Sequence, residues 1–292
     1  MNRLLPIALL LGCTPQFEDA PWRVDETRIL AIVSEPPEAE PNTNVMLTAL
    51  VASPDGTVVA PPRWSVCTRP RTASERTAVT QRCLEGESLE PVSASMSVLS
   101  DACARFGPNV PPAEGDATPQ RPSDPDPSGG YFLPLRAETS EATAFGAVRI
   151  RCDLPGVTRR IFDAFEERYQ TNVNPTLEAV TIDGDVVGED DVVVVSGGDM
   201  VEIAVRPGLD AAEPYVRYDA PRGVLVEERE WLRVQWFVTD GTLDQGLAFV
   251  SDGESVSARW TAPVGPDRIH GWAVVTDARG GSSWQAFALD VE

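Results

Sequence analysis

Apolar and polar residues alternate with a repeat of two along several segments of the chain. The clearest segments are residues 44–52, 199–205 and 232–238, which place aliphatic or aromatic side chains at every second position. Turn-forming residues at 53–56 and 196–199 flank them. Because the side chains of a β-strand point alternately to the two faces of a sheet, we predict half-buried strands of antiparallel sheets.

Residues 158–171 (TRRIFDAFEERYQT) can be read with either periodicity. Phe162, Phe165 and Tyr169 have helical spacing, but the residues from Ile161 onward also alternate between apolar and charged types. We predict a strand here that closes the first domain.

The alternation is lost between residues 68 and 130, where proline, serine, aspartate and glycine dominate. A loop of this length is uncommon inside a compact domain and is usually functional, disordered or cross-linked. We interpret residues 68–130 as an insertion on the first domain. The Asn-Pro pair within residues 171–176 favours a turn and marks a linker to a second domain, which a chain of 292 residues is long enough to form.

The two halves of the chain echo each other. Each has an extended segment, an alternating strand and then a strand with a tryptophan: Val45 to Gly56 precede Trp64, and Gly198 to Val205 precede Trp236. In these residues the chain resembles bacterial Ig-like and PKD-type modules.

The resemblance implies an all-β chain of two tandem Ig-like antiparallel β-sandwiches, formed by residues 26–170 and 177–292. The first sandwich carries the long insertion, which we expect disulfides to staple. In the second, Asp277 to Gly281 are predicted to form the turn of a late hairpin. This fold hosts many functions and specifies none.

The first twelve residues have the composition of an export signal. Arg3 supplies a positive charge, Leu4 to Leu11 form an apolar run interrupted by Pro6, and Gly12 is a small residue before a cleavage point. This run is too short to span a bilayer, which takes about 20 residues in a helix. We therefore predict a cleaved signal peptide rather than a membrane-spanning anchor.

Residues 10–13 (LLGC) resemble the lipobox of bacterial lipoproteins. The resemblance implies a signal peptide at residues 1–12, acylation of Cys13, a flexible tether at 13–25, and attachment to the membrane of the bacterial cell envelope through the N-terminal lipid. Thr14, in place of an aspartate, indicates the outer membrane. The alternatives are a chance cysteine after an ordinary secretory signal, or a buried thiol.

The charged residues exclude several classes of function. The chain has 45 acidic and 24 basic residues, all of the basic ones arginine, and one histidine, His270. So acidic a surface repels nucleic acid and anionic lipid headgroups, and we expect no nucleic-acid partner. The absence of lysine excludes a P-loop lysine, a Schiff base and a Ser-Lys pair, and one histidine excludes a two-histidine zinc site.

Four further cysteines fall in the first half of the chain: Cys67, Cys83, Cys103 and Cys152. An even number in an exported chain predicts two disulfides, and the spacings fit no zinc-ligand pattern. Three pairings are open. We favour Cys83 with Cys103, as a local staple of the insertion, and Cys67 with Cys152.

Asp124, Asp126 and Ser128, followed by Gly129, match early positions of a calcium-binding loop. The twelfth position, where such loops have a glutamate, is Leu135. A proline-rich surface turn is the commoner structure for such a sequence, and a calcium site is our second interpretation.

A second acidic group, within residues 183–191, includes Asp183, Asp185 and Asp190. Carboxylates at a turn between strands could bind a structural Ca²⁺ at a domain junction. Solvated hairpin tips are commoner, and we keep calcium here as a hypothesis as well. We expect no other cofactor.

Trp272 and Trp284 flank the predicted turn of the late hairpin. If both rings were exposed on that hairpin, they would form a surface that stacks on sugars. Packing in a core or at a sheet edge is the commoner outcome for tryptophan, and we favour core positions for Trp64, Trp236 and Trp260.

These observations predict a non-enzymatic envelope lipoprotein that presents Ig-like domains to an envelope protein or a polysaccharide. The alternative is a scaffold subunit of an outer-membrane export or assembly complex. A hydrolase that uses paired carboxylates ranks lower, because sandwiches seldom form the acidic cleft that it needs. The sequence has no Gly-x-Ser-x-Gly nucleophile motif.

Overall fold

A computed structural model describes residues 20–57, 59–72, 74–107, 128–154, 156–189, 191–250 and 253–292. The expected signal peptide and four candidate site residues, Cys13, Asp124, Asp126 and Asp190, lie outside the described residues.

The first domain contains β1 (Arg28–Glu35), β2 (Glu38–Ala39), β3 (Asn44–Ala52), β4 (Arg63–Cys67), α1 (Gln81–Leu84), β5 (Leu89–Val92), β6 (Ser95–Ser97), α2 (Ala102–Phe106), β7 (Gly130–Glu138) and β8 (Thr143–Arg151). Helix α3 (Arg159–Arg168) follows. The second domain contains β9 (Leu177–Ile182), β10 (Asp185–Val187), β11 (Val192–Val195), β12 (Met200–Pro207), β13 (Pro214–Asp219), β14 (Val224–Arg229), β15 (Leu232–Val238), β16 (Thr242–Leu243), β17 (Leu247–Val250), β18 (Val256–Thr261), β19 (Asp267–Asp277) and β20 (Ser282–Val291).

The first domain is a sandwich of two sheets, with the strand orders β1-β3-β6 and β2-β8-β7-β4-β5. Side chains from the facing sides, among them Leu47, Trp64 and Leu133, fill the space between the sheets. Val45 and Leu47 of β3 are buried while Asn44 and Met46 are exposed, as the alternating sequence predicts.

The second domain repeats this plan. Its sheets have the orders β10-β9-β12-β18-β16 and β11-β20-β19-β15-β17, and the β13-β14 hairpin lies outside both. Trp236 and Trp260 are fully buried between the two sheets. The predicted turn at residues 277–281 joins β19 to β20.

The opening strands of each domain are divided between its two sheets. β1 pairs antiparallel with β3, and β2 pairs parallel with β8 in the opposite sheet. In the second domain β9 pairs antiparallel with β12, and β11 pairs parallel with β20. Two mainly antiparallel sheets packed face to face in this order are Ig-like sandwiches, and the prediction of two in tandem is confirmed.

Residues 159–168 form a helix, so the strand predicted for this segment is wrong. Phe165 is buried against Leu154 and Val216, which is the helical face that the sequence also contained. α3 packs on the β13-β14 hairpin, which lies outside the two larger sheets of the second domain.

The segment 68–130 is more regular at its start than predicted. β5 pairs with β4, and β6 pairs with β3, so residues 89–97 belong to the sandwich itself. The interpretation of the whole segment as an irregular insertion is therefore corrected: the first domain builds part of both sheets from it.

Two disulfides are present, as predicted, but the favoured pairing is wrong. Cys67 bonds to Cys83 and Cys103 bonds to Cys152, with Cα–Cα distances of 5.8 and 5.7 Å. Cys83 lies on α1, which folds back over the end of β4, and Cys103 lies on α2, beside the end of β8. Two short helices that the alternation did not reveal bring these cysteines to the strands.

The expected flexible tether is corrected at its C-terminal end. Val24 is fully buried, and its N–H donates to the carbonyl of Val238 at 2.9 Å. The N–H of Val238 in turn donates to the carbonyl of Trp22 at 3.1 Å. The chain is thus fixed against β15 from Trp22 onward.

The longest helix of the described residues is α3, with 10 residues. None of the helices in that part of the chain combines the length and apolar character that crossing a bilayer requires.

Candidate functional site

The second half of β3 is a free sheet edge on the side away from β1. β6 pairs with Asn44–Met46, and the N–H of Leu47 then donates to the carbonyl of Ala94 at 2.6 Å. Residues 48–52 pair with β1 on one side, and no described strand pairs with them on the other.

Strand geometry determines which backbone groups face this free edge. In an antiparallel sheet, successive residues direct their N–H and C=O groups alternately to the two neighbours. Because Leu47 bonds toward β6, Ala49 and Val51 point the same way, whereas Leu50 faces β1. The N–H and C=O groups of Ala49 and Val51 have no backbone partner among the described residues.

An apolar groove of about 470 Å³ runs along this edge. Its lining combines Ala49 and Val51 of β3 with Trp64 of the opposite sheet, the loop residues Val59 and Pro62, and Ala94. By alternation, the side chains of Ala49 and Val51 point to the same side as those of the core residues before them. The groove therefore opens into the space between the two sheets.

The second sandwich is closed at the corresponding edge. β12 pairs with β9 on one side and with β18 on the other, and β18 covers Met200 to Val205. β18 has six residues, whereas β6 has three. The groove of the first sandwich is the place that a longer β6 would fill.

The turn after β3 forms one end of the groove and rests on the second domain. Asp55 accepts hydrogen bonds from the Thr57 hydroxyl and from Ser53, and these bonds lower the pKa of its carboxyl. Gly56 has φ +69° and lies against the ring of His270, where an added Cβ would come within 2.2 Å of the ring. The positive φ, which residues with a side chain rarely adopt, and the close approach to His270 both favour glycine here.

The outer face of β3 packs against the second domain. Leu50 and Ala52 form a buried cluster with Phe237, Trp272 and Val274 of β15 and β19. Leu50 and Trp272 also line the groove, so the domain interface forms part of its wall.

A buried ion pair lies where the first domain meets the linker. Arg149 Nε donates to Glu38 Oε2 at 3.2 Å, and the two side chains are 1% and 0% exposed. Glu38 also accepts from the backbone N–H of Asn172 at 3.0 Å and from the hydroxyl of Tyr169. Burial, and next the charge of Glu38, raise the pKa of Tyr169.

A second buried arginine, Arg279, holds the turn between β19 and β20 against the linker. Its Nε donates to Glu230 at 2.6 Å, its Nη2 to Glu213 at 2.8 Å, and its Nη1 to the carbonyl of Gln170 at 2.7 Å. Burial raises the pKa of Glu213.

Asp277 in the same turn accepts hydrogen bonds from the backbone N–H groups of Arg279 and Gly281, at 2.8 and 2.9 Å. Burial, and then the charge of Glu230, raise the pKa of Asp277 to about 7. Asn172 Nδ2 lies 3.3 Å from the carboxyl, and Asn172 Oδ1 is buried with no partner among the described residues. With its O and N exchanged, the Asn172 amide would accept a hydrogen bond from protonated Asp277.

Asn172 therefore joins the two ionic groups, through its backbone to Glu38 and through its side chain to Asp277. Both groups lie at the linker rather than at the groove. Their chemistry is structural: they hold the two sandwiches in one arrangement.

The calcium hypotheses find little support in the described residues. Ser128 is buried and its hydroxyl accepts a hydrogen bond from Arg149 at 2.8 Å. Because Asp124 and Asp126 lie outside the described residues, the first calcium site stays a prediction. Asp183 accepts from the N–H of Glu202 at 2.8 Å, and Asp185 is exposed at the start of β10. No group of three or more metal-ligating side chains occurs among the described residues.

The two tryptophans proposed for sugar binding lie at the domain interface. Trp272 is 7% exposed, and Trp284 is half-buried against the same cluster. The first domain packs against the hairpin at Trp272, which also lines the β3 groove, so the two tryptophans do not form one exposed surface on the hairpin.

No protein-family model matches the chain, and no curated protein matches it. Among solved structures, it aligns with fibronectin(III)-like modules of Clostridium thermocellum CbhA, at 11% identity over 90% of this chain and 94% of that chain, with a TM-score of 0.27. The D00-D0 domain of Intimin aligns at 9% identity over 90% of this chain and 100% of that chain, with a TM-score of 0.27. The Ig-like assignment depends on the strand order described above.

Neither the groove nor the burial of Arg149 and Arg279 was predicted from the sequence. The sequence contains one feature that points to the groove: the alternation around Met96 is short. A strand of three residues there is too short to pair with all nine residues of β3, and residues 48–52 stay without a described partner strand on that side. Arg149 and Arg279 carry no such signal, since arginine is an ordinary surface residue.

Proposed function

We propose that the chain is a non-catalytic binding protein of the bacterial cell envelope, anchored by a lipid on Cys13, in which two fixed Ig-like sandwiches present the β3 groove to another envelope protein. The observation that carries the proposal is the free edge of β3 beside an apolar groove. Soluble proteins seldom leave such an edge open without a use for it, because it pairs with other chains.

A protein partner suits this groove better than a polysaccharide. The edge offers backbone N–H and C=O groups, which another polypeptide can pair with directly. Sugar sites instead combine exposed aromatic faces with polar side chains. The groove is lined by two aromatic residues, and both are largely buried. Trp64 is 5% exposed and packs in the core, and Trp272 is 7% exposed and packs at the domain interface.

The lipid anchor is supported by the leader and by the short distance to the folded part. Residues 10–13 have the lipobox pattern, and the chain is fixed from Trp22. Eight residues lie between Cys13 and Trp22, and the nine residue-to-residue steps span at most about 30 Å when fully extended. A partner would then meet the groove close to the membrane.

Affinity purification of the full chain from detergent-solubilised bacterial membranes tests the proposal. Two exposed alanines allow a matched comparison, Ala94 in the groove and Ala220 in the β13-β14 turn. We expect Ala94→Arg to reduce recovery of the co-purified protein at least about tenfold, equal to 1.4 kcal/mol, while Ala220→Arg leaves it unchanged. Equal recovery with both variants would remove the groove from the proposal.

Replacing Cys13 tests the anchor separately. Cys13→Ser cannot be acylated, and we expect the variant chain to leave the membrane fraction that holds the wild type. A wild-type chain found unprocessed in the cytoplasm would contradict the envelope location.

A further inference from the structure

We infer that the element bound in the groove is an extended polypeptide strand of the partner, which pairs antiparallel with residues 48–52 of β3 and completes the β1-β3-β6 sheet. The inference rests on the proposed function and adds the chemistry of the partner's binding element. Strand addition of this kind uses main-chain hydrogen bonds for affinity and pockets for alternate side chains for specificity.

The second sandwich shows what occupies this place when the fold is complete. There β18 runs antiparallel to β12, opposite β9, from Met200 to Val205. In the first sandwich the chain crosses from β5 to β6 at residues 93–94, so that β6 begins opposite Met46 and ends opposite Asn44, at the start of β3. A partner strand laid beyond Ala94 would continue the line of β6.

The backbone of β3 already has the extended conformation that this pairing requires. Ala49 and Val51 direct their N–H and C=O groups to the free edge, while Leu50 and Ala52 are buried against the second domain. The strand is therefore held in an extended form before the partner binds. A preorganised edge avoids the entropy that ordering a flexible segment would cost.

The groove also selects side chains. In β18, Val256 lies opposite Val205 and Ala258 lies opposite Ile203, and Ala258 is buried between the sheets. The equivalent places beside Ala49 and Val51 are apolar and suit small or β-branched aliphatic residues at two alternating positions. A proline opposite either residue would remove a donor and prevent pairing.

Charge argues against a second copy of this chain as the partner. Each copy has a formal net charge of -21, so two copies repel each other at low ionic strength. The same charge favours a partner strand that is neutral or basic.

Amide hydrogen exchange of the free full chain, followed by NMR at single residues, tests whether the edge is open. Ile203 and Val205 lie in a strand that is paired on both sides and serve as internal references. We expect the amides of Ala49 and Val51 to exchange at least about 100-fold faster than those of the references, because their bonds to a neighbouring strand are missing.

Addition of a strand probe tests the pairing itself. The probe is an acetylated peptide with the sequence of residues 254–259 (ESVSAR), which precede and begin the equivalent pairing of β18. We expect it to slow exchange of Ala49 and Val51 at least about tenfold at up to about 5 mM, and a peptide with proline in place of the valine to have no effect.

Val51→Pro gives an independent control in the protein. Proline at an edge residue whose N–H faces outward keeps the fold, so we expect an unchanged melting temperature and no response to the probe. If this variant fails to fold, the exchange measurements on the wild type decide the matter.

Three results would overturn the inference: protection of Ala49 and Val51 in the free chain equal to that of Val205, a dimer whose formation protects them, or no slowing by the probe at the highest concentration. A partner whose recovery depends on Ala94 but not on Val51 would keep the proposed function and reject strand pairing.

Discussion

Arg149 and Arg279 are charged side chains in places where water is excluded. Their side chains are 1% and 3% exposed. Removing an ion from water costs several kcal/mol, and a partner of opposite charge with additional hydrogen bonds offsets that cost. Glu38 and Glu230, both 0% exposed, are those partners. Removing one member of either pair would leave the charge of the other buried and uncompensated.

Replacing Glu38 by alanine should therefore destabilise the protein strongly. Loss of one member of a buried pair costs about 3–5 kcal/mol, because it leaves the other charge buried without compensation. Asp163→Ala is the matched control, since Asp163 pairs with the exposed Arg159 on α3 and such pairs contribute about 0–1 kcal/mol. Urea denaturation measures both, and equal losses would mean that Arg149 reaches water.

Asp277 should make stability fall as pH rises. Burial, and then the charge of Glu230, raise the pKa of its carboxyl from the ordinary 3.8 to about 7 in the folded chain. Between these values the folded chain keeps a proton that the unfolded chain has released. The stabilisation is complete below the unfolded pKa and is lost as the pH passes the folded pKa.

The variant Asp277→Asn tests this dependence. An asparagine stays uncharged and can still accept from the N–H groups of Arg279 and Gly281. We expect the urea midpoint of the wild type to fall relative to that of the variant between about pH 4 and pH 7. Parallel curves would show that the carboxyl is ionised throughout.

The burial of a single side chain could be predicted from sequence where it follows from the residue type. Trp236 and Trp260 are large apolar side chains on alternating strands, and they lie in the core. Trp272 could be assigned to a sheet but not to an interface, because the surface that covers it comes from a different domain.

Strands whose alternation is regular were predicted closely, because one buried face specifies them. β3 and β15 coincide with their predicted segments. α3 was missed because Phe165 fits both periodicities, and tertiary contacts with Val216 decided between them. Whether a strand has a neighbour on each side depends on distant segments of the chain. The free edge of β3 therefore could not be predicted.

Helix α3 should contribute to the attachment of the second domain through Phe165. This ring is 1% exposed and touches Val216 of β13. We expect Phe165→Ala to cost about 3–5 kcal/mol, the usual range for a buried phenylalanine. The half-buried Phe162 on the same helix provides the control.

For Phe162→Ala we expect a loss of about 1 kcal/mol or less, as for most partly exposed positions. Chemical denaturation of both variants gives the difference. If the two variants lose stability equally, α3 does not pack on the second domain as described.

Among the described residues, the two sandwiches meet at the apolar cluster around Trp272, at the Gly56 turn beside His270, in the linker network around Asn172, and at α3. These contacts bury apolar and charged groups from both domains, whereas flexible domain pairs have small polar interfaces. The tandem arrangement was predicted from the repeat in the sequence. The contacts between the two sandwiches were not predicted, because in each half of the sequence the interface residues look like ordinary strand residues.

We expect the chain to unfold as one cooperative unit. Unfolding of either domain alone would expose the cluster around Trp272, to which both domains contribute. Differential scanning calorimetry should show one transition with equal calorimetric and van't Hoff enthalpies. Two separate transitions would show that the domains are independent.

We propose that this fixed pair of sandwiches binds another protein through the open edge of β3. Site-specific photo-crosslinking in living bacteria tests it most directly, with the crosslinking residue placed at Ala94 beside the groove or at Ala220 in the β13-β14 turn, both exposed. We expect a discrete protein adduct from position 94 and none from position 220. Adducts of equal yield from both positions, or from neither, would contradict the account.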